Sequence, residues 1–195
     1  MNFKRTAIRS AVIIGIVVLS VLFGVIIQSF SDRAERSNYP LKYEEFVKKY
    51  SYEYGVPQNV IYAVIKEESG FDSSLLADGG EIGLMKVSPK LLESYKIELR
   101  DSYDTGMLYD PETNIKYGVY HLSKIYLKVG TWRAAFASLK AGTDRVLEWL
   151  GNEEYTEFSE NSKPKLKVIP DDETRVFTER LEETAERYKQ LYFED

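Results

Sequence analysis

Glu68 is the residue of this chain best placed to do chemistry. It lies within Ile65-Lys66-Glu67-Glu68-Ser69-Gly70-Phe71. Val60, Ile61, Val64 and Ile65 repeat at helical spacing, and Glu68 falls four residues after Val64 and three after Ile65, on the same face. Glu67 is about a hundred degrees further round, at the edge of that stripe, and Lys66 points away. A carboxyl group aimed at an apolar core is costly in its charged form. Desolvation by Ile61, Val64 and Ile65 favours the protonated acid, and so does the negative end of the helix dipole. A carboxylic acid kept neutral near neutral pH is what general-acid catalysis requires, and glycosidic cleavage is a common use of it. The same position has a purely structural reading, in which Glu68 turns outward at a frayed helix end or pairs with a buried Arg. Asp72, Asp78 and Glu81 follow in a turn-rich stretch and read as solvated charges. Any of the three could also be the second carboxylate of an inverting or retaining hydrolase.

The remaining composition narrows the chemistry further. Cysteine is absent, which excludes disulfides, thiol catalysis and Cys-type zinc sites. His121 is the single histidine, so a His-based metal cluster or a Ser-His triad within one chain is not expected. No metal and no cofactor is therefore anticipated. Carboxylates, hydroxyls, amides, Lys and Arg must carry whatever the chain does. Removing Lys4, Arg5 and Arg9 from the 26 basic residues leaves 23 against 31 acidic ones, about −8 for residues 31–195. That balance argues against nucleic acid and against adhesion to anionic lipid.

The elements that must position Glu68 follow from apolar spacing and capping signals. Tyr43, Phe46, Val47 and Tyr50 predict a helix that stops at Gly55, and Pro57 opens the Glu68 helix at a first-turn position. Residues 77–87 contain Gly79, Gly80 and Gly83 without helical period, an irregular or short β-like segment. Ser88-Pro89 predicts a short helix through Leu92 and Tyr95. Asp110-Pro111 predicts a longer one with Ile115, Val119, Leu122, Ile125 and Tyr126 on its stripe, closed by Gly130. Thr131 caps a small-residue helix, Trp132 to Ala141, expected to be central and buried. Val146, Leu147, Trp149 and Leu150 give another short helix. Residues 151–170 read as a long charged connection, a solvated strand-like loop with Lys163, Lys165 and Lys167 alternating along it. Asp171 to Tyr192 reads as a C-terminal helix with Phe177, Leu181, Tyr188, Leu191 and Tyr192 on its apolar side. The expected fold class is mainly α.

The first residues form a separate object. Ala11 to Ile27 is an unbroken run of apolar and small residues, and with Gln28, Ser29 and Phe30 it reaches about twenty, enough to cross a bilayer. Lys4, Arg5 and Arg9 precede it, which puts the N-terminus in the cytoplasm and the rest of the chain outside. The run is long for a cleaved signal peptide, and Ser29-Phe30-Ser31 is a poor cleavage site. The expected organisation is a cytoplasmic N-terminus over 1–10, a single-pass signal-anchor over 11–30, a polar tether over 31–40 and one domain over 41–195.

Several short motifs occur in one order. Glu68 and Ser69 come first, then Gly83, Leu84 and Met85, then Asp110 and Pro111 with Asn114 and Gly118. Ala141 and Gly142 follow, then Ile169 and Pro170 with Glu173, Thr174 and Arg175. Together they resemble the transglycosylase SLT domain, the lytic transglycosylases of the lysozyme-like superfamily, over roughly residues 40–193. The resemblance implies a lysozyme-like helical domain with a glycan cleft and peptidoglycan strands as partner. It implies that Glu68 is the single acid and base, cleaving between N-acetylmuramic acid and N-acetylglucosamine and leaving a 1,6-anhydro end. Ser69 would support the carboxyl group or the substrate, and Gly83, Leu84 and Met85 would line the cleft. Three motifs depart from the family pattern, at four positions. The glutamine after Met is Lys86, the tyrosine and asparagine of AYNAG are Leu139 and Lys140, and the tyrosine after Glu-Thr-Arg is Phe177. Lys86 and Lys140 would then face the substrate, and a nearby cation favours the carboxylate form of Glu68 over the acid. A catalytically impaired module that binds glycan or helps assemble the cell envelope is the alternative these positions motivate.

Overall fold

Side-chain caps start the helices where the sequence places them. Ser88 Oγ accepts from the Leu91 amide at 3.2 Å, Asp110 from Thr113 at 2.9 Å, Thr131 from Ala134 at 3.3 Å and Asp171 from Thr174 at 2.8 Å. The computed structural model describes Ser20, Phe23, Arg33 and residues 35–159 and 162–194. The chain divides into two units, Met1–Pro40 and Leu41–Asp195. The expected signal-anchor, apart from Ser20 and Phe23, lies outside the described residues. Among the described residues no helix is long and apolar enough to cross a membrane.

In the second unit the helices are α1 (Glu44–Tyr54), α2 (Gln58–Ser69), α3 (Pro89–Leu99), α4 (Pro111–Val129), α5 (Trp132–Ala141), α6 (Thr143–Leu150) and α7 (Asp172–Tyr192). A 3₁₀ turn, Thr105–Tyr109, precedes α4, and strands β1 (Thr156–Ser159) and β2 (Ser162–Leu166) lie between α6 and α7. The mainly helical expectation therefore holds element by element. Two details differ. Pro57 occupies the N-cap of α2 rather than its first turn. The connection after α6 closes into an antiparallel hairpin that pairs Thr156 with Leu166 and Glu157 with Lys165. Thr156 and Leu166 are buried while Lys163, Lys165 and Lys167 stay exposed, so the lysine alternation was a strand pattern.

Helix α2 differs from its expected one-sided stripe. Val60, Ile61, Tyr62, Ala63, Val64 and Ile65 are all buried, so the helix is enclosed on every side. It packs on α1 and α7, while α5 packs on α4, α6 and α7. Ala134, Ala135, Phe136 and Ala137 are buried in α5, where small side chains allow close helix approach, as expected. Gly70 ends α2 in the left-handed region, and its amide donates to Lys66 O at 3.0 Å.

The glycine-rich segment is fixed by α4. It holds isolated bridges between Leu76 and Ile82 and between Ile82 and Val87, and its other polar backbone groups need partners. Buried Asn114 ties the segment to the 3₁₀ turn: its Oδ1 accepts from the Met85 amide at 2.8 Å, and its Nδ2 donates to Ile82 O and to Leu108 O of that turn, both at 2.7 Å. Gly83 has φ +74°, and a Cβ there would lie 2.3 Å from Asn114 Nδ2 and 2.7 Å from Leu108 O. Gly118 is required for a different reason, since its Cβ would lie 2.5 Å from Met85 Sδ. Replacing Asn114 by Ala removes the side-chain partner of the Met85 amide and of Leu108 O, while Ile82 O keeps the Val87 amide at 3.0 Å, and the expected cost is about 2 kcal/mol or more. Asn114→Asp should rescue little, because a carboxylate has no N–H for the two carbonyls. Urea unfolding midpoints of the two variants check this.

Candidate active site

The last turn of α2 opens into a cleft of about 530 Å³. The glycine-rich segment and the start of α3 form one wall, α4 the floor, and the end of α5 with the start of α7 the other wall. Glu68 lines this cleft with its side chain only 13% exposed, and its Oε2 lies 3.0 Å from Lys86 Nζ. The structural reading of Glu68 predicted an outward turn or a buried Arg. The structure instead gives a cleft-facing carboxylate paired with lysine. Lys86 reaches it from a left-handed backbone position, φ +47°, a conformation non-glycine residues adopt at a cost of about 1–2 kcal/mol. Strain of that kind collects at functional sites.

The other expected site residues divide into two groups. Met85, Lys86 and Lys140 line the cleft beside Glu68. Ser69, Gly83 and Leu84 stand behind it. The Ser69 hydroxyl shares its proton between Ile65 O at 3.0 Å and Leu84 O at 2.9 Å. It thereby ties the end of α2 to the glycine-rich segment. Leu84 is fully buried and Gly83 is pressed against Asn114. The departures from the family pattern all meet in the cleft: Lys86, Leu139, Lys140 and Phe177 line it. Lys140 does not approach Glu68 as an ion pair; its Nζ sits 2.5 Å from Glu173 Oε1, a carboxylate at the exposed start of α7.

Three carboxylates and three cations share this space. Beside the Glu68–Lys86 pair, Glu67 Oε1 accepts from the Thr184 hydroxyl at 2.8 Å, and Arg180 Nε lies 3.9 Å from Glu67 Oε2. Glu81 lines the cleft too, a half-exposed loop carboxylate within the turn-rich segment. Asp72 does fit that reading, because its carboxylate accepts from the Ser74 amide at 2.8 Å and the Ser74 hydroxyl at 2.6 Å. Among the described residues no group of His, Cys, Asp or Glu could hold a metal ion.

The family model described as Transglycosylase SLT domain matches residues 45–162. The chain belongs to this family. The soluble lytic murein transglycosylase of Escherichia coli (strain K12) is 33% identical over 117 residues, which is 58% of this chain and 18% of that protein. The membrane-bound lytic murein transglycosylase C of Serratia proteamaculans (strain 568) is 29% identical over 108 residues, 54% of this chain and 30% of that protein. The crystal structure of the 70 kDa soluble lytic transglycosylase from E. coli superposes with a TM-score of 0.71 at 26% identity, covering 82% of this chain and 26% of that one. The SLT chain thus spans less than a third of each of these three relatives.

Sequence reasoning did not place His121 or Arg180 in the cleft. Each had a usable signal: Arg180 stands one turn after Phe177, and His121 one turn after Gly118, on cleft-facing sides of their helices. His121 is half-buried on α4 against Tyr95, whose hydroxyl oxygen lies 3.0 Å from Nδ1. Burial, reinforced by Lys128, lowers its pKa from 6.5 to about 4. The unfolded chain therefore takes up a proton near pH 6.5 that the folded protein refuses until about pH 4. Stability from this residue is intact above that window and is lost as pH falls through it, by about 3 kcal/mol in all. His121→Gln should remove this component. Unfolding free energies at pH 7 and pH 4 should therefore fall further in the parent than in the variant.

Proposed function

We propose that the domain is a peptidoglycan lytic transglycosylase with Glu68 as its acid and base. The observation that carries this reading is the position of Glu68. It is a shielded carboxyl group at the end of a buried helix, lining a cleft of about 530 Å³, in a chain of the SLT family. The names of the relatives support murein as substrate.

The chemistry needs one proton carried both ways. Protonated Glu68 gives its proton to the glycosidic oxygen as the bond from N-acetylmuramic acid C1 breaks. The resulting carboxylate then accepts the proton of the muramyl C6 hydroxyl as that oxygen bonds to C1. The product is a 1,6-anhydro end, the acid is regenerated, and no water is consumed. Lys86 Nζ, 3.0 Å from Glu68 Oε2, occupies the carboxyl group that the glycosidic oxygen must reach. The pair has to open before the proton can pass, which slows the enzyme.

Residues 11–30 are proposed to anchor the domain outside the cytoplasmic membrane, a reading supported by their length and flanking charge and by the membrane-bound relative. The Glu68–Lys86 pair itself favours one second reading, a glycan-binding module that has lost turnover.

Digestion of cell-wall sacculi by the full chain in detergent separates the two. Soluble muropeptides should be released, Glu68→Gln should reduce release at least about 100-fold, and Lys86→Gln should raise it several-fold. Binding without release, unchanged in both variants, would favour the module.

A further inference from the structure

His121 has no part in the proton cycle described above, yet it lines the same cleft. The imidazole is held from behind. Tyr95 lies on α3 and its hydroxyl oxygen is 3.0 Å from Nδ1, with the two ring centroids 5.9 Å apart. Tyr95 is itself braced edge-on by Tyr120, centroid to centroid 5.0 Å. The Tyr95 hydroxyl has no other acceptor among the described residues, and donating to Nδ1 is the use of its proton that the inference below assigns. In that arrangement the single imidazole proton sits on Nε2. Nε2 has no protein partner among the described residues. It is also not sealed in: the buried side-chain atoms left without partners are the hydroxyls of Tyr54, Tyr62 and Tyr117. The free N–H of the ring therefore opens to the cleft. With its pKa near 4, the ring stays neutral, and one proton remains on it across the physiological range.

We infer that His121 is a specificity-determining residue, a neutral N–H donor fixed by Tyr95 to read the acetamido carbonyl of an N-acetylated sugar. This rests on the glycan-cleaving reading of the cleft. The neighbours favour an acetamido group over a bare hydroxyl. Leu91 precedes Tyr95 by one turn on α3 and lines the cleft, whereas Leu122 behind it is fully buried. A single donor in a cleft that also presents leucine surface matches a group made of one carbonyl oxygen and one methyl. A neutral donor also suits a neutral acceptor, and it adds no charge to the balance around Glu68. Tyr95 is a positioning residue: it touches no sugar but decides which ring nitrogen carries the proton.

Because His121 is the chain's one histidine, labelling histidine ring nitrogens gives a single reporter that needs no assignment. The full chain in detergent would be titrated with a β-1,4 oligosaccharide of N-acetylglucosamine, and separately with a cello-oligosaccharide of the same length. The two probes are neutral and share the linkage, and only the first carries acetamido groups. The ring should report the Nε2–H tautomer before any sugar is added. The N-acetylated sugar should move the Nε2 signal, and the cello-oligosaccharide should not. His121→Gln should weaken binding of the N-acetylated sugar about 3- to 10-fold, as loss of one hydrogen bond implies, without altering the cello-oligosaccharide. Tyr95→Phe should let the Nδ1–H tautomer appear and raise KM for sacculi with little change in kcat. An Nδ1–H tautomer in the parent, equal shifts with both sugars, or no shift with either would overturn the inference. Sacculus cleavage with an unmoved His121 signal would remove the inference and leave the function. A selective shift without cleavage would keep the inference and remove the enzyme.

Discussion

The molecule depends on how an irregular loop is held against a helix. A glycine-rich segment cannot satisfy its own backbone groups by regular pairing, and unpaired groups beneath a packed surface are expensive. Asn114 resolves this with one side chain, accepting from Met85 and donating to Ile82 and Leu108. Two glycines make the approach possible, Gly83 under the Asn114 amide and Gly118 under the Met85 side chain. Ser69 completes the connection by bonding Leu84 O from the end of α2. The result is a fixed relation between a helix terminus and a loop, and that relation places Lys86 opposite Glu68.

The ion pair that results explains how a carboxyl group can sit at the end of an enclosed helix. Charge burial is tolerable when it is paired, and the 3.0 Å contact supplies the pair. Lys140 against Glu173 and Arg180 near Glu67 add more exposed charge pairs at the rim of the cleft. Its charges are largely balanced internally before a strand enters. With about −8 over residues 31–195 the domain gains no long-range attraction to an anionic polymer, so recognition of one would come from contacts inside the cleft. His121 lines that cleft half-buried, neutral and in contact with Tyr95.

Much of this was legible in the sequence because the signals are local. Ser88, Asp110, Thr131 and Asp171 announce helix starts by side-chain chemistry that depends on the next three residues only. Glu68 was legible because apolar spacing made a carboxyl group conspicuous. What depends on packing between distant segments was not. The enclosure of Tyr62 and Ala63 in α2 requires α1 and α7. The hairpin requires Thr156 and Leu166 to meet across a turn. The role of Asn114 requires three carbonyl or amide groups from two other segments, which no spacing rule reveals. His121 was dismissed as a lone histidine because composition counts partners of its own kind, whereas its partner is a tyrosine 26 positions earlier.

The account turns on one carboxyl group working without water. The most direct measurement digests sacculi with the full chain in heavy-oxygen water and weighs the new glycan ends by mass spectrometry. A single acid and base that closes the muramyl C6 hydroxyl on C1 predicts 1,6-anhydro ends that carry no heavy oxygen. Reducing ends carrying one heavy oxygen per cut would contradict it, and would require a second carboxylate, such as Glu81 or Glu67, to activate water in the same cleft.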